Sequence, residues 1–181
     1  MIRRILVSIA LATFFVCTTT PQIGSAQSGG GPSIARFEGK LIDLRDGWGE
    51  AAACTSDGST TACFRTEKQL DRYLNEALQS VTQIHGGFSI ESVCSTALKL
   101  YADASFGGLV LSLSTRGTVQ NLSTFSFDNV TSSYKVGACN STFYDGPNAG
   151  SPTYPGATTA GASATSMSTG WDNRVSSVLI S

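Results

Sequence analysis

The sequence predicts a mainly β, extracellular protein whose C-terminal half contains an internal repeat. The pattern Asp-Asn-x-x-Ser-Ser occurs at residues 128–133 and again at 172–177, each time after an aromatic residue and before a short apolar stretch. The chain is rich in Gly, Ser and Thr and only 14% charged, a composition typical of β-rich extracellular domains. Two copies of one polar pattern predict two similar halves of one compact domain.

The first 26 residues have the features of a secretory signal peptide. Arg3 and Arg4 precede an apolar run over residues 5–16, and small residues at 24–26 provide a cleavage site before Gln27. The apolar run is too short to span a membrane. We therefore expect cleavage after residue 26, a flexible leader over residues 27–33, and a secreted protein without membrane insertion.

Charge and cysteine content narrow the function classes. Beyond residue 26 there are 10 basic and 13 acidic residues and no basic tract, so nucleic acid and anionic membranes are poor partners. An even number of cysteines in an exported chain predicts two disulfides, for which three connectivities exist. The four cysteines beyond residue 26 are Cys54, Cys63, Cys94 and Cys139.

Residues 34–90 predict a small β-hairpin and helix unit, to which the sequence assigns no function. Strand candidates cover residues 37–44 and 48–55. A hairpin turn at Asp57-Gly58 places Cys54 directly opposite Cys63. Such antiparallel neighbours are close enough for a disulfide, so we pair these two cysteines.

An amphipathic helix is predicted over residues 67–82, after a capping box formed by Thr66 and Gln69. Apolar residues then recur at helical spacing, namely Leu70, Tyr73, Leu74, Leu78 and Val81. We expect this stripe to cover the preceding hairpin, and a partner-binding surface is the alternative. His85 is the only histidine and is interpreted as a solvated loop residue.

A second repeated pattern precedes each Asp-Asn-x-x-Ser-Ser copy. Tyr101 is followed seven residues later by Gly108, and Phe143 is followed seven residues later by Gly150. Between the first hairpin pattern and the first motif, the apolar residues of 109–114 alternate as in a β-strand. The two units start about 42 residues apart, the size of a supersecondary repeat.

This ordered pair of patterns, occurring twice over residues 93–181, resembles the calcium-binding microbial branch of the βγ-crystallin family. The resemblance implies two Greek-key repeats, about residues 97–137 and 139–181, packed as a β-sandwich. It implies that Gly108 and Gly150 give each hairpin a positive φ, and that Tyr101 and Phe143 pack beneath the hairpins. Ser133 and Ser177 would hydrogen-bond the hairpin backbone. It also favours a disulfide between Cys94 and Cys139, which would clamp the first repeat.

The resemblance also implies two Ca²⁺ sites that share ligands between the repeats. Oxygen ligands of this kind suit Ca²⁺ better than zinc or copper. The expected ligands are the carbonyls of Val130 and Arg174, the hydroxyls of Ser132 and Ser176, the side chains of Asp128, Asn129, Asp172 and Asn173, and the carbonyls of Ala102 and Tyr144.

The sequence therefore predicts a secreted, monomeric, non-enzymatic calcium-binding protein with a structural, stress or envelope-associated role. Catalysis has little support, because nucleophilic catalysis usually requires a histidine base and only His85 is available. The alternative is a secreted peptidase inhibitor or killer-toxin-like protein with an extracellular protein target. The hairpin tip at Asp57-Gly58 or the segment 151–170 would then contact that target.

Overall fold

A computed structural model describes residues 33–84 and 93–181 of the chain. This part is mainly β with a single α-helix, which confirms the predicted class. The predicted signal peptide, residues 27–32 of the leader, and His85 lie outside the described residues. No helix of the described ranges has the length and hydrophobicity needed to cross a bilayer.

Within these ranges the strands are short, apart from the hairpin β5–β6. They are β1 (Ile34–Phe37), β2 (Lys40–Asp43), β3 (Ala53–Ser56), β4 (Thr61–Phe64), β5 (Val93–Asp103), β6 (Gly107–Thr115), β7 (Val119–Asn121), β8 (Ser133–Lys135), β9 (Ser141–Gly146), β10 (Gly150–Thr153), β11 (Ser163–Ala164) and β12 (Ser177–Ile180). The helix α1 covers Glu67–Ile84, two residues beyond its predicted end.

The two repeats exchange one strand each. The first repeat comprises β5 to β8 and the second comprises β9 to β12. One sheet contains β6, β5 and β8 with β11 of the second repeat at its edge. The other sheet has the order β10-β9-β12-β7 and so includes β7 of the first repeat. Since each sheet needs a strand from the other repeat, neither repeat completes its sheet alone.

The main hydrophobic core lies between these sheets and consists largely of aromatic and branched side chains. Phe143 and Val178 come from one sheet and Leu100 and Leu111 from the other, all fully buried. Tyr134 packs edge-on against Phe143, with 5.0 Å between ring centroids. The alternation of apolar residues along β5, β6, β9 and β12 therefore supplies two facing apolar surfaces.

Strands β1 to β4, which we call the front strands, continue the first sheet instead of forming a separate one. β3 pairs in parallel with β6, and β1 pairs in parallel with β4, giving the order β11-β8-β5-β6-β3-β4-β1-β2. α1 lies on the outer face, where Leu70 packs with Ala53, Tyr101 and Val110. The helix thus covers strands of the first repeat as well as the preceding hairpin.

Both disulfides have the predicted partners. Cys54 and Cys63 face each other across β3 and β4, with 4.1 Å between their Cα atoms. Cys94 in β5 is bonded to Cys139, four residues after β8, with 5.9 Å between Cα atoms. The second bond therefore joins the first strand of the first repeat to the segment that follows its last strand.

The predicted strands at 37–44 and 48–55 differ from the structure. Glu38 and Gly39 have φ angles of 49° and 79° and form a two-residue hairpin turn between β1 and β2. Such turns require positive φ at both central residues, and Glu-Gly is a weak signal for them. Residues 44–46 form a 3₁₀ turn, and Trp48 lies in a loop because its side chain contacts another part of the core.

Candidate metal centre

The two Asp-Asn-x-x-Ser-Ser loops face each other between the repeats. The second residue of each motif has a left-handed backbone, with φ of 56° at Asn129 and 54° at Asn173. Asparagine tolerates this conformation better than most residues, which explains its presence at that position. The Asn129 N–H donates to the carbonyl of Val175, and the Asn173 N–H donates to the carbonyl of Thr131, both at 3.0 Å.

Each loop places one amide oxygen beside one hydroxyl of the other loop. The first cup, as we define it, contains Ser132 Oγ and Asn173 Oδ1, 3.3 Å apart. The second cup contains Ser176 Oγ and Asn129 Oδ1, 3.2 Å apart. Both serines are 6% exposed, whereas both asparagines lie at the surface. The structure thus brings four of the predicted site residues together as two reciprocal pairs.

The serines of the motifs tie these loops to the two hairpins. The backbone N–H of Ser132 donates to the carbonyl of Tyr101, and that of Ser176 donates to the carbonyl of Tyr144, both at 2.8 Å. Ser133 Oγ donates to the Asp103 carbonyl at 2.6 Å and accepts from the Phe106 N–H. These contacts place the fifth residue of each motif beside the start of its own hairpin turn.

Ser177 repeats the contacts of Ser133 on the second hairpin. Its hydroxyl donates to the carbonyl of Gly146 at 2.6 Å and accepts from the Ala149 N–H at 3.1 Å. The final serine of each motif therefore holds its hairpin in the same way, as the resemblance implied.

These contacts show that the hairpins correspond at a spacing of 43 residues, not the predicted 42. Tyr101 corresponds to Tyr144, and Ala102 to Asp145. Gly108 has the expected positive φ of 73°, but Gly150 has φ of −65°. The left-handed residues of the second hairpin are Asn148 and Ala149. Phe143 packs into the main core against Tyr134, whereas Tyr101 packs against Phe106 of its hairpin.

The surroundings of the two cups differ in charge. Arg174, at the third position of the second motif, forms an ion pair of 2.8 Å with Asp145, and this hydrogen bond raises the pKa of the arginine. Its guanidinium also lies 5.4 Å from the ring centre of Trp171. The corresponding residues of the first repeat are Val130 and Ala102, which are uncharged. Asp128 and Asp172 are exposed at the mouths of the loops.

The donor set fits a hard cation. Calcium ligands lie about 2.3–2.6 Å from the ion, so two ligands at right angles are about 3.3–3.7 Å apart, close to the oxygen separation in each cup. The oxygens come from amides and hydroxyls, and among the described residues no three His, Cys, Asp or Glu side chains converge. Amide and hydroxyl oxygens are donors that hard cations such as Ca²⁺ prefer, whereas zinc prefers sulfur and imidazole.

The sequence did not lead us to two residues that lie near this centre. Asp145 was missed because the hairpins were aligned one residue out of register, and the repeated Tyr-x-x-x-x-(Phe/Ala) spacing from Tyr101 and Tyr144 would have identified it. Trp48 was read as part of a strand, and its contact with the segment before the first motif spans 77 residues. No local sequence signal indicates a contact of that range.

Part of this chain is similar to domains of known structure. A βγ-crystallin from Ciona intestinalis is 24% identical, matching 47% of this chain and 99% of its own length with a TM-score of 0.40. About half of this chain is similar to βγ-crystallin domains.

Microbial βγ-crystallin domains match the same share of the chain. The domain from Clostridium beijerinckii is 24% identical over 47% of this chain and 97% of its own, with a TM-score of 0.37. The N-terminal domain of Protein S is 18% identical over 48% and 96%, with a TM-score of 0.39. No protein-family model matches the sequence, and no curated protein matches it.

Proposed function

We propose that this protein is a secreted, non-enzymatic calcium-binding protein of the βγ-crystallin type, with a structural, stress or envelope-associated role. The reciprocal pairing of Ser132 with Asn173 and of Ser176 with Asn129 carries this proposal. Two oxygen-lined cups at the interface between the two repeats are suited to bind two hard cations.

The remaining ligands of the proposed sites come from the backbone and from the loop carboxylates. The carbonyls of Val130 and Arg174 and the side chains of Asp128 and Asp172 supply further oxygen. The corrected hairpin register makes Asp145, rather than Tyr144, the counterpart of Ala102. We therefore assign the hairpin carbonyls to Ala102 and Asp145.

Calcium in these cups would contribute to the stability of the folded chain. Because each cup takes ligands from both repeats, an ion binds only when the repeats are packed together, and binding favours the folded state. Extracellular modules bind calcium at about 10⁻⁴ to 10⁻³ M, so 10 mM calcium adds about 1.4–2.7 kcal/mol for each filled cup. Two disulfides suit the extracellular compartment, where calcium is abundant.

Calorimetric titration of residues 27–181 with CaCl₂ tests the proposal. We expect two bound ions. In 10 mM calcium, each bound ion should raise the melting temperature by about 3–10 °C, whereas MgCl₂ should have little effect on it. The double variant Ser132→Arg/Ser176→Arg should lose both effects, because the guanidinium groups occupy the cups. Ser95→Arg, at an exposed serine of β5, is the matched control. Absence of calcium binding to the unaltered protein would refute the proposal.

The inhibitor function remains a second candidate, favoured by the hairpin tip between β3 and β4. The Asp57 carboxylate accepts hydrogen bonds from the backbone N–H groups of Ser59 and Thr60 at 2.9 and 2.8 Å, and from both hydroxyls. With the Cys54–Cys63 bond below it, this tip is preorganised, as an inhibitory loop must be. Stoichiometric inhibition of an extracellular protease that persists in EDTA and is lost in Asp57→Ala would establish this function.

A further inference from the structure

The segment that leads into the first motif is held by the front strands. Trp48, in the loop before β3, is 6% exposed, and its indole Nε1–H donates to the carbonyl of Phe125 at 2.6 Å. Its ring also stacks on Phe127, with 5.6 Å between ring centroids and an interplanar angle of 29°. Phe127 immediately precedes Asp128, the first residue of the motif.

The residue between these two aromatics is also bound to the front strands. Ser126 has a left-handed backbone with φ of 49°, and its hydroxyl donates to the carbonyl of Leu44. Leu44 is fully buried in the main core. Each of the three residues before the motif therefore has a hydrogen bond or a ring contact with residues 44–48.

The second motif is entered differently. Trp171, which precedes Asp172, packs edge-on against Tyr154 at 5.3 Å between centroids and lies under the guanidinium of Arg174. These contacts all belong to the second repeat. Among the described contacts, residues outside the two repeats therefore contact the segment before the first motif but not the segment before the second.

We propose that Trp48 is a positioning residue that fixes the approach to Asp128 and Asn129 and thereby sets the cation affinity of the second cup. The inference rests on the proposed calcium function and assigns a role to the front strands. A left-handed conformation is unfavourable for a non-glycine residue such as Asn129, so it depends on contacts on both sides of that residue. Phe127 anchors the chain before Asn129, and the bond from the Ser132 N–H to the Tyr101 carbonyl anchors it afterwards. Fixing the loop before binding reduces the entropy lost when the ion binds.

Calcium affinity of the isolated second cup tests this role. In an Asn173→Gly background, glycine keeps the left-handed backbone and removes the amide oxygen of the first cup. Adding Trp48→Phe retains an aromatic ring but removes the donor to Phe125. We expect the remaining site to bind calcium about 2- to 12-fold more weakly, the range set by the net effect of one lost hydrogen bond. Ser126→Ala should weaken it in the same direction.

A matched control separates positioning from general loss of stability. Leu74→Ala removes apolar contact beneath α1, on the opposite face of the sheet from Trp48. It should lower the melting temperature without changing calcium affinity. Equal affinities in the Trp48→Phe and parent proteins, or equal weakening by Leu74→Ala, would overturn the inference.

Amide hydrogen exchange without calcium tests the same positioning independently of ion binding. In Trp48→Phe we expect the Asn129 amide to exchange at least several-fold faster, while amides of β9 and β12 keep their rates. A uniform increase across all amides would mean a structural role alone and would overturn the inference. If the unaltered protein binds no calcium but Asn129 responds in this way, the proposed function fails and the positioning role of Trp48 stands.

Discussion

The hydroxyl of Ser132 lies 3.3 Å from the side-chain oxygen of Asn173, which is 41 residues away in the other repeat. The same relation holds between Ser176 and Asn129, 47 residues apart. A polar centre of this kind cannot form in an isolated repeat. The exchange of β7 and β11 between the sheets brings these loops together, so the fold and the candidate site depend on the same packing.

The reciprocal pairs predict which residues act together in calcium binding. Ser132→Ala and Asn173→Gly should each reduce the stoichiometry from two ions to one, and combining them should cause no further loss. Combining Ser132→Ala with Asn129→Gly removes one oxygen from each cup and should abolish binding. Calorimetric titration measures all three outcomes. Independent effects of Ser132 and Asn173 would contradict the pairing.

Removal of the arginine in the second motif should strengthen calcium binding. The guanidinium of Arg174 engages the carboxylate of Asp145, the neighbour of Tyr144, whose carbonyl accepts from the Ser176 N–H of the second cup. Arg174→Val, which copies Val130 of the first motif, should increase affinity about two- to five-fold by removing repulsion and freeing the carboxylate.

The control for this charge effect is Asp145→Asn. It should reverse the gain when added to Arg174→Val, because no carboxylate is then released. Titrations at low and high ionic strength should show a smaller difference between the arginine and valine forms in high salt. An unchanged calcium affinity in Arg174→Val would mean that the ion pair is too far from the bound calcium to affect it.

A buried hydroxyl in the first motif predicts a stabilising substitution. Thr131 is fully buried, and its Oγ1 has no hydrogen-bond partner among the residues that the structure describes, whereas the corresponding residue of the second motif is the equally buried Val175. Thr131→Val should raise the free energy of unfolding by about 0.5–1.5 kcal/mol, because folding then no longer transfers an unpaired hydroxyl from water into the core. Val175→Thr should lower it by a similar amount. Denaturant unfolding measures both, and a destabilised Thr131→Val would show that the hydroxyl is satisfied.

The contact between α1 and the first repeat predicts acid sensitivity. Burial opposes ionisation of Glu67, but hydrogen bonds from Lys99 at 2.7 Å and Tyr101 at 2.8 Å outweigh it and hold the pKa of this carboxyl below its usual 4.5. A carboxyl with a lowered folded-state pKa contributes stability above pH 4.5 and loses it as the pH falls through the folded value. Glu67→Gln should therefore melt at a lower temperature than the parent at pH 7, and the difference should shrink below pH 4.5.

Melting curves between pH 7 and pH 3 measure this convergence. Glu50→Gln serves as the control, because the Glu50 side chain is 72% exposed and its ion pair with Arg65 lies at the surface. That pair should contribute little at any pH. Parallel curves for the parent and Glu67→Gln would contradict the assignment.

The features predicted correctly from the sequence have local causes. The Cys54–Cys63 bond followed from a short turn, and the start of α1 followed from the Thr66 cap, whose hydroxyl accepts from the Gln69 N–H. The hydrogen bonds of Ser133 and Ser177 to the hairpins were implied by the resemblance to βγ-crystallins, which rests on the repeated motif. Such signals lie within ten residues or repeat along the chain.

The features missed depend on contacts between distant segments. The parallel pairing of β3 with β6 has no local signature, since nothing in the sequence of either strand identifies the other as its partner. Trp48 is a loop residue because of Phe125 and Phe127, and only the assembled core shows this. The hairpin register failed at Phe143 and Gly150 because two aromatic residues are adjacent at 143–144 and two glycines are adjacent at 107–108.

The pairing of β3 with β6 also constrains the order in which the chain can fold. Cys54 and Cys63 are nine residues apart, so their hairpin can close soon after these residues are synthesised. β3 then lacks its second neighbour until residues 110–113 arrive, more than fifty residues later. An early hairpin with an unpaired edge is exposed to association with other chains during that interval. Folding without association therefore depends on how quickly the first repeat follows its front strands.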